Sequence, residues 1–462
     1  MVSADSLNLD VLELVFSYLS GKDLTAIARV NRFFFAGAIP HLYSILPYRL
    51  SHAKRYPSLA SPFSVISSHP WLAVHVRHID IRSIPVVKSQ INTKFAIECT
   101  RALDMCPNIS SFRCTVNNAL PPFLGSLAKK DRLHDLWICA SLTTDQSAKL
   151  IKLAKIRTLT LDLASWNILS LLPQWATTLR DHLRVLTLYM TNELNETMLE
   201  KVLAELPGLI GLHVIQCAKI HHVAILAQVS HTPLLESLSF TTSEDARELL
   251  NPPPQLTSLL HLSIDLRFTP MAPMQQPSPN TISAILTHIN HSSPRLESFV
   301  LKYPSRQYGV QNSLIQQIIG AYAPSLRNLS FIDSAVGTTD SLTALCRACA
   351  KLERLEVWIP VDDLVIFAIS IAQSKSLRTL VDVNSHTHAP RSTLRQGGVY
   401  TLMSKVENLQ EVVTDTETWK RTKDLDDSED EDEEDFTVTS ERQSCYGGKG
   451  KTANHWFMPR EL

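Results

Sequence analysis

The chain has 462 residues, 44% of them apolar, with 44 basic and 45 acidic side chains and a net charge of −1. That suits a folded soluble protein, and its charge is too diffuse to select nucleic acid as a partner. The first residues hold no charged stretch followed by an apolar one, so no secretory leader is expected; no run of roughly 18 apolar residues predicts a membrane span, and eight scattered cysteines suit a reducing cytoplasm or nucleus rather than a disulfide framework.

The first element is a helix over 9–20, entered through Leu7-Asn8 and carrying Leu9, Val11, Leu12, Leu14, Val15, Phe16, Tyr18 and Leu19. Asn8 suits an N-cap and Asp10 the first turn. Gly21 follows as a stop, Asp23-Leu24 opens a second helix through Ile27 and Val30, and Asn31-Arg32-Phe33-Phe34-Phe35 leads to Pro40-His41-Leu42-Tyr43. The first helix has more apolar positions than one stripe facing one small core can use. A module of about 40 residues cannot bury that surplus alone, so it must face a partner or the rest of the chain.

These residues resemble, position by position, an F-box of the fungal type, where that pattern usually has Leu-Pro in place of Leu7-Asn8. The resemblance implies a three-helix module over 1–48 that docks on a Skp-type adaptor and, through it, a cullin. The implied adaptor-binding residues are Leu7, Asn8, Leu9, Leu12, Val15, Phe16, Leu19 and Leu24.

After a connector over 49–75, the motif L-x-x-L-x-L recurs along 76–415. Clear copies are Leu133-Leu136-Ile138, Ile156-Leu159-Leu161, Leu183-Leu186-Leu188, Leu209-Leu212-Val214, Leu235-Leu238-Phe240, Leu259-Leu262-Ile264, Leu296-Phe299-Leu301, Leu326-Leu329-Phe331 and Leu352-Leu355-Val357. Weaker copies begin at Val76, Ile109, Leu377 and Leu409, the third of them with Asp382 in an apolar slot. Copies start 23 to 37 residues apart. In a strand the fourth and sixth positions share one face, which turns Thr187 away from the core. No unit this small can bury its own face, so neighbours must stack.

Between the strands, Glu196 to Leu206, His222 to Val229, Thr281 to Ile289, Ser313 to Tyr322, Asp340 to Ala350 and Asp362 to Ala372 have helical apolar spacing. Asn195 and Thr339 suit N-caps. Pro107, Pro207, Pro233, Pro294 and Pro324 stop the helices. The whole resembles a leucine-rich repeat protein, with Asn117 and Cys217 at the family's Asn/Cys position. That resemblance implies an α/β solenoid of about 12–13 repeats, a curved parallel sheet backed by helices, whose third, fifth and seventh motif positions face the open, concave side. There Arg113, Trp137, Tyr189, His213, Arg354 and Trp358 are the candidate anchors for a protein substrate, since aromatic and arginine side chains dominate interface energetics. The segments Thr269 to Pro279 and Asn384 to Gly398 read as long loops suited to recognition.

The remainder, 416–462, reads as an acidic, disordered tail. From residue 414 on there are 14 acids and 7 bases, which leaves 31 acids and 37 bases before it. Ten of the twelve residues from Asp424 to Asp435 are acidic, a block that repels itself.

No catalytic, metal or cofactor motif survives inspection. Gly450-Lys451-Thr452 lacks the first glycine of a phosphate loop, since Cys445 stands there, and Cys346-x-x-Cys349 has no second ligand pair. The sequence therefore predicts a non-catalytic protein. By resemblance it is the substrate-recognition subunit of a Skp–cullin–F-box ubiquitin ligase, with an interaction scaffold that has lost adaptor binding as the alternative.

Overall fold

The structure, a computed structural model, describes residues 8–87, 90–242, 249, 255–267, 279–293, 295–303, 309–334, 337–383, 394–414, 417–423, 436–442 and 456–457. Leu7, most of the two expected recognition loops, the acidic run 424–435 and the segment 443–455 lie outside them. The described residues form two compact units, one over 8–220 and one over 221–442 together with Trp456 and Phe457.

The first unit opens with three helices, α1 (Leu9–Ser17), α2 (Gly21–Ile27) and α3 (Arg32–Leu42). Ser20 caps α2, accepting from the Asp23 amide, and Asn31 caps α3, accepting from the Phe34 amide at 2.8 Å. Gly21 thus begins the second helix rather than ending the first. Asn8 does stand at the α1 N-cap, but its side chain accepts no capping bond.

Parallel strands follow, and they begin earlier than the motif does. Ile45–Tyr48 pairs with His78–Ile81, which pairs in turn with Ser111–Cys114. The stretch expected to be a connector is therefore the return leg of a first coil. It holds the helices Leu50–Arg55 and Pro62–Ser68. Pro47 hid this strand, because a proline disqualifies a segment from any strand position except the sheet edge, and that is where Ile45–Tyr48 lies.

From there the leucine slots align. Asp135–Cys139, Thr158–Asp162, Val185–Tyr189 and Gly211–Ile215 pair in parallel, with Leu136, Leu159, Leu186 and Leu212 in one row and Ile138, Leu161, Leu188 and Val214 in the next. All eight are buried, as are the first-position Leu133, Ile156, Leu183 and Leu209.

The second unit repeats the pattern over seven parallel strands, from Ser237–Thr242 to Glu411–Val413. Asp382 pairs with Val357 in the slot that elsewhere is apolar. It is buried, and its Oδ1 accepts the Ile359 amide at 3.2 Å. A buried carboxylate with such a bond is tolerated where an unpartnered one is not.

The helices stop two or three residues before proline: Met105 before Pro107, Ala204 before Pro207, Tyr322 before Pro324. Asn195 caps its helix, accepting from the Met198 amide at 2.9 Å. The expected cap Thr339 is displaced by its neighbour, for Thr338 accepts from the Ser341 amide.

A regularity invisible in the sequence marks the exit from the strands. Leu163, Met190, Gln216 and Asp333 all have φ between 50° and 59°, and all occupy the eighth position of their repeats. A left-handed conformation costs a non-glycine residue about 1–2 kcal/mol. Its recurrence at one repeat position shows that stacking of neighbouring coils dictates this turn, not the residue in it. Just beyond, the Cys217 Sγ–H donates to the carbonyl of Leu188 in the previous coil at 3.5 Å.

The tail expectation is corrected for 417–423 and 436–442, the acidic run between them lying outside the described residues. Glu417–Lys423 pairs antiparallel with Glu411–Val413, and Phe436–Arg442 pairs antiparallel with Glu417–Lys423. Charge counting masked the strand alternation there, which buries Trp419.

Candidate functional site: two exposed faces and an occupied one

In the N-terminal module Leu12, Phe16, Leu24 and Ala38 form the core, with Leu19, Ile27, Phe34 and Leu42 packed against it. Phe16 lies 5.6 Å from Phe34 between ring centroids. Gly37 permits this approach, since a Cβ there would stand 3.1 Å from the Phe16 ring. His41 Nε2 donates to the Glu13 carbonyl at 2.8 Å and fastens α3 to α1.

The expected adaptor-binding set is thereby divided. Among its described members, Leu12, Phe16 and Leu24 are interior, Leu9 and Leu19 half-buried, and Asn8 and Val15 exposed. Three residues outside that set join Val15 on the surface: Val11, Leu14, at 62% exposure, and Tyr18, at 73%. Positions 11, 14, 15 and 18 have the i, i+3, i+4, i+7 spacing of a single helix stripe. That spacing was the signal that would have found them.

On the sheet face opposite the leucine rows of the first unit, side chains are tied to one another across strands. Arg82 Nε lies 2.8 Å from Asp80 Oδ2, and Arg113 Nε 3.7 Å from Asp80 Oδ1. The Arg113 guanidinium sits 3.3 Å from the centre of the Trp137 ring. Trp137 Nε1 donates to Asp162 Oδ2 at 2.7 Å. Burial, reinforced by the charge of Arg82, lowers Arg113 to about 10, which leaves it protonated at neutral pH. Burial raises Asp135, opposed by a bond from Ser111 Oγ at 2.8 Å.

Arg113 and Trp137 are therefore buried in a lateral network rather than presented as anchors. A desolvated cation–π pair is worth about 1–2 kcal/mol. A double-mutant cycle of Arg113→Ala and Trp137→Ala, read by denaturant unfolding, is expected to show a coupling of that size. Additive losses would mean that the stack contributes nothing.

His213 is buried too, and Tyr189 is half-buried. In the second unit Arg354 Nε pairs with Glu356 Oε1 at 2.7 Å, and Ser330 Oγ donates to Glu356 Oε2 at 2.9 Å. Trp358 is the large candidate that does reach the surface, at 38% exposure.

The sequence did not suggest the contact made on the strands Ser237–Thr242 and His261–Leu266 of the second unit. The Phe457 carbonyl accepts from Ser239 Oγ at 2.9 Å and from Ser263 Oγ at 3.2 Å. Phe457 itself is 1% exposed. The Trp456 ring stands edge-on to Phe457 with centroids 5.5 Å apart, and Lys302 Nζ lies 5.1 Å from the Trp456 ring centre.

Among the described residues no three His, Cys, Asp or Glu side chains gather as metal donors. Cys346 and Cys349 are buried, and burial pushes their thiols up to about 12 and about 11. No described helix is long and apolar enough to cross a membrane.

No protein-family model matches this chain. No curated protein matches it either. Among solved structures it is similar to the yeast Rad7 and Elc1 complex, at 14% identity and a TM-score of 0.41, over 81% of this chain and 88% of that one. It is also similar to TLR13 in complex with ssRNA13, at 14% identity and a TM-score of 0.38, over 77% of this chain and 47% of that one.

Proposed function

We propose that the protein is the substrate-recognition subunit of a Skp–cullin–F-box ubiquitin ligase, acting in the cytoplasm or nucleus. It does no chemistry itself. The observation that carries this reading is the double-sided first helix: Leu12 and Phe16 fill the module core while Val11, Leu14, Val15 and Tyr18 form an apolar stripe on its surface. An exposed apolar stripe on a small folded module suits a partner surface. The F-box resemblance of this helix, whose implied adaptor-binding set shares Val15 with the stripe, points to a Skp-type adaptor as that partner. The repeats then hold a protein substrate, and the shared scaffold raises the local concentration of acceptor lysines at the ligase.

Co-expression with a Skp-type adaptor and a cullin tests the reading. Recovery of a stable complex of chain, adaptor and cullin supports it. A chain that purifies alone under the same conditions is a scaffold without a ligase role.

Substrate capture has its own test. Trp358 is exposed at the edge of the strand Arg354–Val357, so Trp358→Ala is expected to weaken captured partners while leaving adaptor binding and thermal midpoint near wild type. A sharp fall in midpoint with unchanged capture would place Trp358 among the packing residues instead.

A further inference from the structure

The sheet face of the second unit already holds a piece of polypeptide. Ser239 and Ser263 sit opposite each other at the fifth positions of adjacent strands, and Asp265 sits opposite Lys302 at the seventh positions of the next pair. The two hydroxyls converge on one backbone carbonyl, that of Phe457, while the ammonium of Lys302 lies within cation–π range of the neighbouring indole. A backbone carbonyl held by two donors, with an adjacent aromatic ring held by a cation, is how a peptide is gripped in an extended groove. Backbone bonds supply affinity there, and a side-chain contact supplies selectivity.

The occupant is not a neighbouring coil. It lies 218 residues along the chain from Ser239, beyond the last strand, and thirteen residues (443–455) separate it from Arg442. Nothing in the repeat pattern requires an aromatic pair there. The segment after Arg442 carries Lys449, Lys451 and Arg460 against Glu461 alone. One of the strands it meets, His261–Leu266, carries Asp265 as a buried acid.

We infer that Ser239, Ser263 and Lys302 form a recognition site for a peptide segment bearing a Trp-Phe or similar aromatic pair, and that the chain's own Trp456–Phe457 fills this site as a tethered self-ligand. An incoming protein segment of that chemistry must displace it. A tethered competitor acts at an effective concentration on the order of millimolar, so the resting chain discriminates against all but well-matched partners. The inference deepens the reading of the repeats as a substrate-binding platform and rests on it for the identity of the competitor. The self-contact can be measured with neither adaptor nor substrate.

The experiment uses the full chain and a fluorescently labelled peptide of residues 452–462. By anisotropy, the peptide is expected to bind the Phe457→Ala chain at least tenfold more tightly than the wild-type chain. Adding Ser239→Ala and Ser263→Ala should remove that gain. Equal binding to wild type and Phe457→Ala, or binding to neither, overturns the proposal.

Should Phe457→Ala fail to fold, a protease site inserted between 443 and 455 of the otherwise wild-type chain gives the same answer after folding is complete. Once cut, the native fragment is expected to exchange with labelled peptide. A fragment that leaves only on heat unfolding is part of the core, and the site does not exist. A chain that binds no adaptor can still pass this test, and one that binds an adaptor can fail it.

Discussion

Leu186→Ala and Leu329→Ala are each expected to cost about 2–5 kcal/mol in denaturant unfolding, the range for truncating a buried leucine. Leu186 stands between Leu159 and Leu212 in the first unit, and Leu329 between Phe299 and Leu355 in the second. Each therefore leaves a void in a row that continues on both sides and cannot collapse from one side alone. The matched control is Lys201→Ala on the exposed side of the helix Glu196–Ala204, expected to change stability by less than about 0.5 kcal/mol. Thr187 does not serve as that control. It faces away from Leu186 along the strand, yet its exposure is 0%. Similar losses at Leu186 and Lys201 would contradict the aligned rows.

Two aspartates on one helix are expected to fail in different ways. Leu12→Asp places a charge in the module core, beside Phe16 and Ala38. A buried charge without a partner is costly enough to unfold a unit of this size, so the N-terminal helices should lose protection in hydrogen exchange and adaptor binding together. Leu14→Asp puts the same charge on the exposed stripe. Hydrogen exchange and thermal midpoint should stay near wild type there, while adaptor co-purification falls by at least tenfold. The proposed docking face is wrong if Leu14→Asp leaves the adaptor bound.

Much of the fold was legible because each repeat encodes its geometry locally. Leu183, Leu186 and Leu188 lie within six residues, and strand alternation alone assigns their faces. Proline placement fixed the helix ends for a similarly local reason. Other features depend on what lies far away in sequence. The left-handed turn at Met190 is imposed by stacked coils, and no glycine announces it. The strand Ile45–Tyr48 carries no leucine motif and holds a proline that only an edge tolerates.

The candidate site was less legible than the fold. Alternation sends Arg113 and Trp137 to the face opposite the leucine rows, but burial on that face is decided by lateral neighbours, here Asp80 and Asp162. Their spacing of 24 residues or more gives no local signal. The Trp456–Phe457 contact was hidden more deeply, because the composition of the acidic stretch spoke for the whole C-terminal region.

The reversal at the end of the second unit has a consequence for self-association. Six consecutive parallel pairings end where Glu417–Lys423 turns back along Glu411–Val413, and Phe436–Arg442 comes last in order. Arg421 anchors the reversal. Its guanidinium donates to the Met403, Val406 and Glu407 carbonyls and lies 4.3 Å from the Phe436 ring centre. Among the described strands Phe436–Arg442 is the last in the sheet, and a sheet edge is a template for another molecule's strand. The sequence joining the last two strands carries ten carboxylates in twelve residues, so two molecules meeting edge to edge would bring twenty like charges together. Like charge of that density opposes the approach of a second copy.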